Sequence, residues 1–129
     1  MLQNLYPHLL GFHGLLLWVV LAAAVAAIFF AFSGWSGGKP TSANLARFSI
    51  IFVIAMDIEF LDGVLLYFGG SPALRTAFVR HGALMLLAVV CAHVGGAFSR
   101  KGRTDAMKYR GAAIAYTISL LLLLLGIPR

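Results

Sequence analysis

The chain has 129 residues, of which 61% are hydrophobic and only 11% are charged. A soluble domain of this length would have about a quarter charged residues, so the composition indicates an integral membrane protein with no room for a soluble enzymatic domain. The net charge of +6 comes from basic residues that cluster between the apolar runs. That placement suits contact with the anionic headgroups of a lipid bilayer rather than with nucleic acid.

Four apolar runs use most of the chain, and a membrane-spanning helix needs about 20 such residues. The first run has no basic stretch before it and is longer than the apolar core of a signal peptide, so we expect it to be retained as a span. The connections are short and contain glycine and proline. They predict an all-α fold, an antiparallel four-helix transmembrane bundle with up-down-up-down topology, in a single domain over 1–129. The predicted spans are 9–32, 48–68, 81–98 and 111–125.

The distribution of Lys and Arg predicts the orientation of this bundle. The first and third connections lie on one side and carry seven basic residues, namely Lys39, Arg47, Arg100, Lys101, Arg103, Lys108 and Arg110. The opposite side carries three, namely Arg75, Arg80 and Arg129. Basic residues favour the cytoplasmic side, so we expect the first and third connections to be cytoplasmic and both termini to lie on the outer side.

The second run, 48–68, carries Asp57, Glu59 and Asp62, three of the four acidic residues of the chain. Carboxylates at membrane depth are costly unless they are protonated, paired, bound to metal or open to water. Glu59 and Asp62 are three residues apart and share a helix face, whereas Asp57 points elsewhere. We therefore expect these acids to handle protons or to bind a partner subunit.

Four histidines lie in or beside two other apolar runs, at His8, His13, His81 and His93. A helix rises about 1.5 Å per residue. His13, near the outer end of the first helix, and His81, which we expect to open the third, should therefore lie at one level with Asp62. His8 is closer to the surface, where an interfacial histidine is the more ordinary interpretation.

His93 is expected to belong to a different part of the bundle. It follows His81 by 12 residues, which corresponds to roughly 18 Å of rise and about 120° of rotation around the helix axis. The two rings should therefore have different neighbours, and Asp57 is the acid closest in level to His93. The pattern predicts either two sites with His93 as a second ligand, or one site and a structural histidine.

Two histidines at one level on different helices are typical of proteins that hold a b-type haem by its iron. Gly14 and Gly82 directly follow His13 and His81, and such small residues would admit the macrocycle. The sequence therefore predicts haem b, with His13 and His81 as the axial ligands of the haem iron. The haem would supply the redox chemistry, and the protein would set its position and its potential.

Two arginines near the same end, Arg75 and Arg80, add a charge argument to this prediction. A guanidinium group binds a carboxylate through two parallel hydrogen bonds. Both side chains could therefore pair with the propionates of the haem.

Several short motifs resemble a family of small bacterial four-span proteins that are described as cytochrome b-like. They are Phe12-His13-Gly14 with Trp18, Gly63-Val64-Leu65-Leu66-Tyr67-Phe68, His81 with Met85-Leu86-Leu87-Ala88, His93-Val94-Gly95, the basic stretch 100–110 and Gly126-Ile127-Pro128. The resemblance covers most of the chain and implies a four-helix protein of the bacterial inner membrane that binds haem through histidines.

The chain departs from the pattern of this family in the second helix. Where the resemblance implies a histidine, the chain has Asp57. A second haem held against His93 would therefore lack its partner ligand. The resemblance supports at most one bis-histidine site, and His93 with Asp57 would form a hydrogen-bonded pair, a metal site or a proton-handling pair.

These observations favour a haem-b-binding electron-transfer subunit of a bacterial membrane redox complex, which exchanges electrons with quinone or an outer redox partner. One alternative is a non-haem metal or proton-handling protein, because imidazole and carboxylate ligands suit iron, zinc or manganese. Another is a colourless accessory subunit of a respiratory or photosynthetic complex. The sequence assigns no catalytic residue, which favours a redox subunit over an independent enzyme.

Overall fold

A computed structural model describes residues 2–37 and 43–128, and over these ranges the chain forms helices and no strands. The four helices are α1 (Leu2–Gly37), α2 (Ala43–Gly69), α3 (Pro72–Lys101) and α4 (Asp105–Gly126). Each predicted span lies within one of them, and each helix extends beyond the predicted span. Lys39 and Arg129, which contributed to the predicted orientation, lie outside the described residues.

The start of α3 differs from the expectation that His81 opens this helix. The hydroxyl of Ser71 accepts a hydrogen bond from the backbone N–H of Leu74 at 3.3 Å, and Pro72 occupies the first helical turn. A serine N-cap followed by proline is a strong signal for a helix start. His81 therefore lies more than two turns inside α3, and that expectation was wrong.

Three of the four helices, α1, α3 and α4, are long and apolar enough to cross a membrane. At 27 residues α2 is long enough to do so. It does not meet the same measure of apolar composition, because it carries Asp57, Glu59 and Asp62. The three apolar helices support a membrane protein, whereas a fourth span in α2 stays a prediction.

The packing of the helices is cyclic. α1 and α3 each pack against both α2 and α4, whereas the two diagonal pairs have no close backbone approach within the described ranges. Small residues let the backbones approach. Gly34 of α1 leaves room for the ring of Tyr109, and Gly95 of α3 leaves room for the ring of Tyr116. Both tyrosines are fully buried.

Contacts between helix ends gather four segments at one end of the molecule. The imidazole of His81, in the first half of α3, contacts the backbone oxygen of Gly126 at the end of α4. Gly69, at the end of α2, faces the ring of Tyr6 near the start of α1, whose Cδ2 would lie 3.4 Å from a Cβ at Gly69. We call this end, where His13 and His81 also meet, the histidine end.

Candidate functional site

The histidine end contains a cavity of about 520 Å³ that is bordered by all four helices. Ligand sites in proteins measure about 300–1,000 Å³, so the space suits a medium-sized molecule. The wall is mostly apolar, with polar groups at a few points. Its polar side chains include His13, His81, Glu59 and Arg75, and its apolar ones include Phe60 and Phe78.

The rings of His13 and His81 lie edge-on to each other inside the bundle. Their centroids are 6.3 Å apart and their planes are inclined by 78°. They come from α1 and α3, a diagonal pair of helices, so both side chains reach toward the middle of the bundle at the cavity. The structure therefore brings together the two histidines that the sequence placed at one level.

The Nδ1 atom of His13 lies between two carboxylates of α2. It is 3.4 Å from Oε2 of Glu59 and 3.3 Å from Oδ2 of Asp62, and both carboxylates are buried. None of these three atoms makes a hydrogen bond of good geometry within the described residues. The contact is thus an electrostatic one, in which two acceptor groups surround one ring nitrogen.

The Nδ1 atom of His81 donates a hydrogen bond of 2.7 Å to the backbone oxygen of Gly126. A carbonyl oxygen can only accept, so the hydrogen bond places the proton on Nδ1 and leaves Nε2 with a free lone pair. In His13 the carboxylates favour the same tautomer. Histidines that ligate metals are normally held in this way, by a carboxylate or backbone carbonyl at the other ring nitrogen.

The glycines beside the two histidines border open space. A Cβ added to Gly14 or Gly82 would meet no atom within 4 Å, and both residues line the cavity. By contrast, a Cβ at Gly34 would collide with the ring of Tyr109. Helix packing therefore explains Gly34 but gives no reason for Gly14 and Gly82, which keep space free beside the imidazoles.

The two arginines named from the sequence lie in different surroundings. Arg75 lines the cavity, and its Nε is buried without a hydrogen-bond partner in the described part of the chain. Arg80 is exposed and does not line the cavity. Arg75 therefore borders the space in which an anionic group would lie, and Arg80 does not border it.

The sequence analysis assigned no role at the site to its aromatic residues. The ring of Phe78 packs edge-on against His81, with 6.1 Å between centroids and 83° between planes. Tyr6 and Tyr67 also line the cavity. The spacing of three residues between Phe78 and His81 on one helix face was the available signal for the first contact.

His93 lies outside the cavity and pairs with Asp57. Its Nε2 is 2.8 Å from Oδ1 of Asp57, and both side chains are about half exposed. Thus the structure joins His93 to the acid that the sequence placed at its level, and keeps it apart from His13 and His81. His8 is exposed near the start of α1.

Within residues 2–37 and 43–128, no group of three or more His, Cys, Asp or Glu side chains is arranged to hold a metal ion. His13 and His81 offer two nitrogen ligands, which is the number that a haem iron takes from a protein when both its axial positions are filled. The site thus offers a haem iron two nitrogen ligands, and the proposal below rests on them.

Comparison of the chain with protein-family models, with curated proteins and with solved structures found no match.

Proposed function

We propose that this protein is a haem-b-binding electron-transfer subunit of a bacterial membrane redox complex, with His13 and His81 as the axial ligands of the haem iron. The observation that carries the proposal is the pair of imidazoles whose ring centroids lie 6.3 Å apart beside a cavity. Both would hold one haem iron, each through the ring nitrogen opposite its Nδ1 contact.

The surrounding residues suit this role. The Gly126 carbonyl accepts a hydrogen bond from the His81 ring and orients it, and the Glu59 and Asp62 carboxylates lie close to Nδ1 of His13, where their charge would raise the basicity of that ring as a ligand. Gly14 and Gly82 leave room beside the rings, and Arg75 offers a guanidinium to a propionate. The haem would supply one-electron transfer, with quinone or an outer redox protein as the exchange partner.

The architecture belongs to the same proposal. We infer an antiparallel up-down bundle that crosses the inner membrane, because the start of α1 and the end of α2 share the histidine end with the first half of α3 and the end of α4. α2 is included because Glu59 and Asp62 are buried inside the bundle. An acidic residue that faced lipid at mid-membrane would raise the free energy of inserting the helix by about 2.5–3.5 kcal/mol.

The test is an absorption spectrum of the purified protein with matched histidine variants. We expect a sharp α band in the reduced-minus-oxidised spectrum, and its loss in His13→Ala and in His81→Ala, because each removes one axial ligand. His8→Ala is the control, since this exposed histidine lies outside the cavity. A His13→Ala protein with an unchanged α band would refute the assignment, and bound metal without porphyrin would favour the non-haem alternative.

A further inference from the structure

The pair of His93 and Asp57 lies on the outer surface of the bundle, between α3 and α2. The side chains are 51% and 41% exposed. Asp57 is near the midpoint of α2, and His93 lies close to Gly95, which packs against Tyr116 about halfway along α4. The two polar groups are therefore at mid-depth in the proposed membrane span.

The surface around this pair is apolar. Ile54, Ile58 and Leu61 of α2 are exposed beside it, as are Val90 and Val94 of α3. Lipid chains cannot hydrogen-bond to an imidazole or a carboxylate, so half-exposed ionisable groups at this depth normally face protein or water. Polar side chains at such positions stabilise contacts between membrane helices. Because exposed apolar side chains surround the pair, the α2/α3 face, defined by these five apolar residues and the pair, suits a protein neighbour better than water or lipid.

The donor and the acceptor that His93 and Asp57 do not use between themselves indicate which protein packs against this face. Nε2 of His93 and Oδ1 of Asp57 share a hydrogen bond of 2.8 Å, and neither side chain makes another hydrogen bond within the described residues. An apolar surface favours the pair in its net-neutral form, which holds one proton between these two atoms and keeps one donor, Nδ1–H of His93, and one acceptor, Oδ2 of Asp57. A patch that presents one donor and one acceptor is complementary to itself under a two-fold rotation.

We propose that a second copy of this chain docks on the α2/α3 face, with His93 of each copy donating a hydrogen bond to Asp57 of the other. The outward faces of α1 and α4 carry exposed apolar side chains at the corresponding depth, such as Val25 and Ile118. In the proposed dimer, these faces of α1 and α4 contact lipid. The proposal rests on membrane insertion and is independent of the haem assignment.

Cysteine cross-linking in native membranes tests the contact. In a Cys91→Ala background, Val94→Cys places a thiol next to His93 on the α2/α3 face, and Val25→Cys places one on the lipid face of α1. Oxidation should convert the Val94→Cys protein to a disulfide-linked dimer and leave the Val25→Cys protein monomeric. Equal cross-linking of both variants, or linkage of Val94→Cys to a different protein, would overturn the proposal.

Complementation separates the contact between copies from the pair within one copy. Asp57→Ala and His93→Ala each lose both reciprocal hydrogen bonds, so each alone should dimerise about tenfold more weakly in lipid nanodiscs. When the two variants are co-expressed with different tags, one His93–Asp57 bond can form between the copies. Recovery of the mixed dimer is the expected result.

Two outcomes of this experiment would count against the proposal in different ways. A native protein that is monomeric in nanodiscs, or variants that fail to complement, would overturn the second-copy contact alone. A native protein absent from the membrane fraction would refute the contact together with the proposed membrane subunit, whereas loss of the dimer alone should leave the haem spectrum unchanged.

Discussion

The two imidazoles of the site are held by different groups, and the difference has a consequence for redox potential. His13 faces the carboxylates of Glu59 and Asp62, whereas His81 donates to the neutral backbone carbonyl of Gly126. Negative charge close to a haem iron favours the oxidised state, and in a poorly solvated site the effect is only weakly screened. The α2 carboxylates should therefore keep the potential of the haem low.

Neutralising both carboxylates should raise the midpoint potential of the haem. For the double variant Glu59→Gln, Asp62→Asn we expect an increase of about 60 mV or more, which corresponds to a tenfold change in the equilibrium constant of a one-electron couple. Potentiometric titration of the α band measures it. Asp57→Asn is the matched control, because this acid lies on the same helix but contacts His93, and its substitution should change the potential less. A double variant with unchanged or lower potential would contradict the electrostatic role.

At the scale of single helices, four of the glycines fall into two classes. One class lies where a neighbouring ring comes too close for any side chain, as with Gly34 against Tyr109 and Gly95 against Tyr116. The other class, Gly14 and Gly82, borders the cavity with nothing nearby. A glycine inside a helix costs roughly 0.5–1 kcal/mol relative to alanine. Helix packing does not explain why Gly14 and Gly82 are glycine despite this loss of stability, whereas the space that a ligand needs does explain it.

Filling this space should reduce haem binding without disrupting the helix. We expect Gly14→Leu to lower the haem content of the purified protein several-fold, because its side chain would enter the cavity beside His13. Gly11→Leu is the matched control, since a Cβ there also meets nothing within 4 Å, yet Gly11 does not line the cavity. The haem-to-protein absorbance ratio distinguishes the two. Equal haem content in both variants would show that Gly14 is not needed to leave room for the haem.

At the scale of the whole molecule, the proposed topology places the site near the outer surface of the membrane. The basic residues in and beside the connection between α3 and α4 would face the cytoplasm, and the connection between α2 and α3 would face outward. A haem at the histidine end would then be close to an outer redox partner or to the quinone pool. The dimer contact would lie deeper, on a different face of the bundle.

Labelling of single cysteines tests this orientation. In a Cys91→Ala background, Ala73→Cys at the start of α3 and Ala106→Cys at the start of α4 replace two exposed alanines. A thiol reagent that cannot cross membranes should label Ala73→Cys in intact cells and Ala106→Cys only after permeabilisation. The reverse pattern would invert the orientation, and labelling of both sites in intact cells would exclude the up-down arrangement.

The sequence alone determined the helical segments and the level of each polar residue along them, because apolar run length and the fixed rise of a helix settle both. It therefore paired His13 with His81 and Asp62 in level, and Asp57 with His93. Only the tertiary structure decided that Glu59 joins Asp62 at His13, that Arg75 rather than Arg80 lines the cavity, and that His93 faces outward. These facts depend on the rotation of each helix about its axis, which four nearly uniformly apolar helices leave undetermined until their side chains pack. The start of α3 was missed for a different reason, since the capping by Ser71 and Pro72 lies outside the apolar run that marked the span.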